Sequence, residues 1–179
     1  MTTPRTTTST TVPKRTTTTT TRPKSTTTTA PAPTSVAFSS SYSGSFTVII
    51  VNNNSTSGSA TVTSLNGTGT NLGASTLSAS GQVPTTSTNV GFSFSFNGSG
   101  SLSGSGGTLT VEVASSAANV PDGAGTGTLS GVAKVTGGTG KFAGATGSLR
   151  FSGSFKLTGI DSGTQTPTFS STISGTIHL

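Results

Sequence analysis

The side chains that carry most enzyme chemistry are almost missing from this chain. It has three acids (Glu112, Asp122 and Asp161), one histidine (His178) and no cysteine. General acid–base work needs paired titratable groups held within reach of one proton. Here each acid has a structural explanation. Asp122-Gly123 and Asp161-Ser162-Gly163 are turn sequences, in which an Asp side chain caps its own backbone. Glu112 alternates with Val111 and Val113, so if the valines face a core it faces solvent. His178 stands between Ile177 and Leu179, and a lone histidine does not make a multi-ligand metal site. Serine is abundant, but no Gly-x-Ser-x-Gly elbow leads into a helix. Gly140-Lys141 is followed by Phe142, where a phosphate loop needs Ser or Thr. The sequence therefore predicts no catalytic residue, no metal ligand and no cofactor site.

The one distinctive motif is architectural. Gly137-Gly138-Thr139-Gly140-Lys141-Phe142-Ala143-Gly144-Ala145-Thr146-Gly147 lies between two strand-like runs. Its glycines Gly137, Gly138, Gly140, Gly144 and Gly147 suit a corner with positive φ angles. Phe142 is its one large apolar side chain and is expected to plug the end of a barrel, with Lys141 solvated beside it.

The elements that frame this corner read in period 2. Phe46, Val48 and Ile50 alternate, with Ile49 and Val51 on the other face. Thr61–Leu65 forms a weaker run. Phe92, Phe94 and Phe96 alternate with Ser93 and Ser95. Leu109, Val111 and Val113 repeat the pattern, and Leu129–Val135 continues it less cleanly. Leu149, Phe151, Phe155 and Leu157 share a parity, as do Phe169, Ile173, Ile177 and Leu179. Turn sequences separate the runs: Asn52-Asn53-Asn54, Asn66-Gly67, Asn97-Gly98, Gly106-Gly107, Asp122-Gly123 and Asp161–Gly163. Short strands so spaced indicate an all-β sandwich or barrel. Gly153 and Gly175 within strand rows favour the bending that a barrel requires. About eight strands are expected, closing into an antiparallel barrel over residues 35–179. With 28% hydrophobic residues, the nine phenylalanines must supply much of the core.

Residues 1–34 are different in kind. They hold 18 Thr and five Pro, and no glycine occurs before Gly44. Nothing there buries enough apolar surface to offset ordering, so a disordered tail or stalk is expected. Threonine tracts with proline suit O-glycosylation or a plain spacer. Arg5, Lys14, Arg15, Arg22 and Lys24 give this tail +5 of the net +6, while the remainder carries four bases against three acids. Such a tail can contact a cell wall or acidic polysaccharide by screened attraction, but its charge is too diffuse for a nucleic-acid footprint. The longest apolar run, Phe46–Val51, is far short of the roughly 20 residues a membrane helix needs. Met1 leads straight into threonines rather than an apolar leader, which fits a truncated or mis-started product, a processed mature chain or a protein never exported by that route.

Gly137 to Gly147, with Leu149–Phe155 and a closing strand, resembles the glycine-rich segment of the allene oxide cyclase-like and dirigent-like β-barrels, chiefly their bacterial members. The resemblance covers roughly Thr126 to Leu179. It implies an eight-stranded antiparallel barrel with a central cavity, often oligomeric, in which some plant members act on small hydrophobic substrates. It carries no catalytic residue to this chain, because those plant proteins use acidic and polar groups in the cavity. The leading expectation is a non-catalytic barrel, secreted or displayed at the cell surface, with a structural or adhesive role on a Thr/Pro stalk and a capacity to homo-oligomerise. The alternatives are a barrel that binds or cyclises a small hydrophobic ligand, and a virion-associated decoration or fibre protein.

Overall fold

In the computed structural model, residues 8–11, 32–51, 58–83, 93–119, 125–157 and 163–179 are described. The chain divides into two units, Met1–Pro31 and Ala32–Leu179. In the first, residues 8–11 are exposed and outside regular structure. The rest of the expected disordered tail up to Pro31 lies outside the described residues.

The second unit is nearly all strand: β1 (Ser35–Ser45), β2 (Thr47–Ile50), β3 (Gly58–Gly69), β4 (Gly73–Val83), β5 (Ser93–Phe94), β6 (Asn97–Gly104), β7 (Gly107–Asn119), β8 (Gly125–Gly138), β9 (Thr146–Leu157), β10 (Gly163–Gln165) and β11 (Thr168–His178). All pairs are antiparallel. The path β1-β11-β9-β8-β7-β6-β4-β3 returns to β1 through the β1–β3 pair, closing a barrel of eight strands. The three short strands are continuations across breaks. Ser45 pairs Thr168 and Val48 pairs Gln165 in one unbroken register, so β2–β10 prolongs β1–β11. The ladder lapses at Pro167, which accepts from the Phe46 amide at 3.1 Å but has no N–H to return.

Breaks elsewhere follow the same logic. Between β5 and β6 the Ser116 hydroxyl replaces a backbone partner: it accepts from the Phe96 N–H at 2.7 Å and donates to the Phe96 carbonyl. The expected run Phe92–Phe96 is therefore interrupted, and Phe92 lies outside the described residues. A bulge in β3 between Val62 and Leu65 turns both inward despite their odd spacing. This explains why Thr61–Leu65 reads weakly as a strand.

Two expected turns are strand interior instead. Asn66-Gly67 lies within β3 and Asn97-Gly98 opens β6. Gly67 is glycine because the Tyr42 ring lies over it: a Cβ there would meet Tyr42 Cδ1 at 2.6 Å and collide with the Ser41 carbonyl. The β3–β4 reversal is made further on, at residues 70–72, with Asn71 at φ 65°. Asn tolerates that angle better than most side chains do. The Gly106-Gly107 turn stands where the sequence puts it.

The core has two parts. One gathers Phe38, Tyr42, Leu65, Leu72, Leu77, Leu102, Leu109, Phe142, Leu149 and Ile177. The other holds Phe46, Phe155 and Leu157, with Val48, Phe94, Leu129 and Phe169 partly covered against them. Glycines give the large rings room in so narrow a barrel. A Cβ on Gly131 would meet Phe151 Cζ at 2.5 Å. Such apolar burial is favourable by about 25 cal/mol per Å².

Candidate functional site

Of the polar residues singled out from the sequence, the two described ones, Glu112 and His178, do not converge. Glu112 is exposed on β7, where its strand neighbours are Ser99 and Lys134. His178 is exposed, with Nδ1 2.9 Å from the Ser35 hydroxyl. Asp122 and Asp161 lie outside the described residues. Among the described residues no three His, Cys, Asp or Glu side chains are grouped as metal ligands.

The glycine corner sits between β8 and β9. Gly140–Phe142 makes one 3-10 turn. Phe142 is wholly buried, packed against Gly106 and Gly138. The Lys141 amide donates to the Gly106 carbonyl at 2.9 Å, which ties the corner to the β6–β7 turn. Gly140 and Gly144 have φ of 61° and 75°, where a side chain is strained. Lys141 is exposed. With the turns at 70–72 and 105–106, this corner occupies one end of the barrel. Thr34 and Leu179 exchange backbone hydrogen bonds of 3.1 and 3.0 Å at the same end.

The opposite end is lined by phenylalanine. Phe46 meets Phe155 edge-on with centroids 6.0 Å apart, and meets Phe169 at 5.4 Å. Phe96 and Phe151 lie 6.1 Å apart. Phe94, Phe96, Phe151 and Phe169 are only partly buried. Rings arranged in this way offer apolar faces and weakly positive edges to a guest.

Between the two parts of the core lies a polar row that sequence reading missed. On β11, Ser171 is opposite Tyr42 of β1; Tyr42 is opposite Gly67 of β3; Gly67 is opposite Ser75 of β4. The Tyr42 phenol crosses the glycine and lies 3.1 Å from the Ser75 hydroxyl, both groups buried. Ser171 is 7% exposed and Ser40 is 5% exposed, and neither hydroxyl has a hydrogen-bond partner among the described residues. A period-2 signal was present in Phe38, Ser40, Tyr42, Gly44 and Phe46, but its small members concealed it.

The outer wall differs again. Two concavities, of about 470 and 330 Å³, share Ser80 and Ser99 across β4 and β6. Ser78, Ser101, Thr110 and Glu112 also line the larger.

Comparison with protein-family models, with curated proteins and with solved structures finds no match for this chain.

Proposed function

We propose that this protein is a non-catalytic binding barrel that takes a small apolar guest at its phenylalanine-lined end, borne on the Thr/Pro tract as on a stalk outside the cell. The observation that carries this reading is the placement of phenylalanine. Phe46, Phe94, Phe96, Phe155 and Phe169 belong to the half of the barrel away from the Thr34–Leu179 junction, and three of them are incompletely covered. Aromatic surface left part-exposed in a chain with so few large apolar residues points to a contact surface. The resemblance of the glycine corner to the allene oxide cyclase-like barrels supports the same placement of a guest.

A structural or adhesive role rests on a different feature, the hydroxyl-lined concavities of the outer wall around Ser80 and Ser99. In that reading the wall makes the contact by hydrogen bonding and the barrel end is inert.

Titration of the folded protein with the neutral probe N-phenyl-1-naphthylamine separates the two. The binding-barrel reading expects saturable fluorescence enhancement that Phe46→Ser and Phe94→Ser weaken while Ser80→Ala and Ser99→Ala leave it unchanged. No saturable binding, or binding lost only in the wall variants, overturns it.

A further inference from the structure

We infer that the Ser171–Tyr42 row is a seat for the head of the guest, and that it selects an apolar molecule bearing one uncharged hydroxyl or carbonyl group. The inference rests on the reading of the phenylalanine-lined end as a guest site.

Ser171 stands at the boundary between the two parts of the core. On one side it is opposite Tyr42, on the other opposite Gly153 of β9, whose missing side chain admits a neighbouring ring. Phe169, two residues nearer the aromatic end, covers Gly153: a Cβ there would meet its Cε2 at 3.0 Å. Phe169 is itself part-exposed. A guest that displaces this ring reaches the Ser171 hydroxyl.

That hydroxyl has its proton and both lone pairs uncommitted among the described residues. A buried polar group without a partner is costly, and native interiors rarely leave one. It can donate to a carbonyl or accept from an alcohol. The Tyr42–Ser75 pair, already joined at 3.1 Å, fixes the other side of the row.

Charge sets the limit. Lys134, Lys141, Arg150 and Lys156 are all exposed. None is inside to neutralise an anion, and a carboxylate buried there would be unpaired. The seat therefore suits a neutral head and excludes an acid.

Ser40 shows the contrast. It is as buried and as unpartnered, but a Cβ on Gly69 opposite would meet Ser40 Cβ at 3.0 Å, with Leu72 close behind. Leu72 is wholly buried, whereas the Phe169 ring over Gly153 is part-exposed, so only the Ser171 side opens toward a guest.

The chain has one tyrosine, Tyr42, and no tryptophan. Its emission therefore reports on the seat directly. The test is titration of the full chain with cyclohexanol, cyclohexane and cyclohexanecarboxylate, followed by Tyr42 fluorescence and calorimetry. Cyclohexanol is expected to bind about tenfold more tightly than cyclohexane, the ratio one net hydrogen bond supplies, and the carboxylate more weakly than either. Ser171→Ala should bring the alcohol and the alkane to within about threefold, with the alkane affinity unchanged as proof of fold. Ser40→Ala should change neither. Equal affinity for alcohol and alkane in the native protein overturns the seat but leaves the guest site standing. So does an equal loss of both in Ser171→Ala. Binding of none of the three overturns both.

Discussion

The two ends of this barrel are made by the same strands and finished in different ways. At one end the connections are short: three residues at 70–72, two at 105–106, and the glycine corner. Leu72, Leu102, Leu109, Phe142, Leu149 and Ile177 are buried there without remainder. At the other end Phe46 and Phe155 are covered while Phe94, Phe96 and Phe169 stay part-exposed, and Ile49 of β2 and Val51 just after it are open to solvent. A barrel of eight strands has little interior to spare. Closing one end with a single wholly buried ring stabilises the fold, while rings at the other end stay part-exposed. The comparison separates residues that hold the fold from residues that, under the proposed function, meet a guest.

The largest break is expected at the closed end. Phe142→Ala removes a fully buried ring from between Gly106 and Gly138 and should destabilise by about 3–5 kcal/mol. Phe94→Ala, at a part-buried ring, should cost about 1–2 kcal/mol and weaken guest binding instead. Urea denaturation of the two variants decides this. If Phe94→Ala costs as much as Phe142→Ala, the two ends do not differ as described.

A smaller effect sharpens the comparison at the glycines. Gly67→Ala places a methyl against the Ser41 carbonyl and the Tyr42 ring and should cost about 2–3 kcal/mol by overpacking. Gly144→Ala meets nothing within 4 Å. Its penalty should be only the strain of its φ, about 1 kcal/mol. Reversal of that order by thermal unfolding would mean that angle, rather than room, fixes these glycines.

The smallest effect concerns the tract before the barrel. Removal of residues 1–31 should shift the unfolding midpoint by no more than the equivalent of about 0.5 kcal/mol and leave probe binding unaltered. A larger fall would give the tract a part in folding.

Much of this architecture was legible. Period-2 rows in Leu109–Val113, Leu149–Leu157 and Phe169–Leu179 mark strands because each has one apolar face of large side chains. The corner was legible because Gly137, Gly140, Gly144 and Gly147 cluster where a chain must turn sharply. β1 was harder. Between Val36 and Phe46 its inward row runs Phe38, Ser40, Tyr42 and Gly44, and small polar members blur a pattern built on hydrophobicity. The polar row could not be read at all, since Ser171, Tyr42, Gly67 and Ser75 come from four strands and meet only through register. Asn66-Gly67 and Asn97-Gly98 misled for a related reason. Their glycines admit a neighbouring ring or carbonyl rather than a reversal, and local sequence does not distinguish those uses.

The most direct test of the division between the ends is residue-resolved. Amide chemical shifts should be followed through titration of the labelled protein with cyclohexanol. Shifts are expected at Phe46, Phe94, Phe155, Phe169 and Ser171, with Leu72, Gly106 and Phe142 unmoved. Shifts centred on Ser80 and Ser99 of the outer wall, or spread equally to the Phe142 corner, would contradict it.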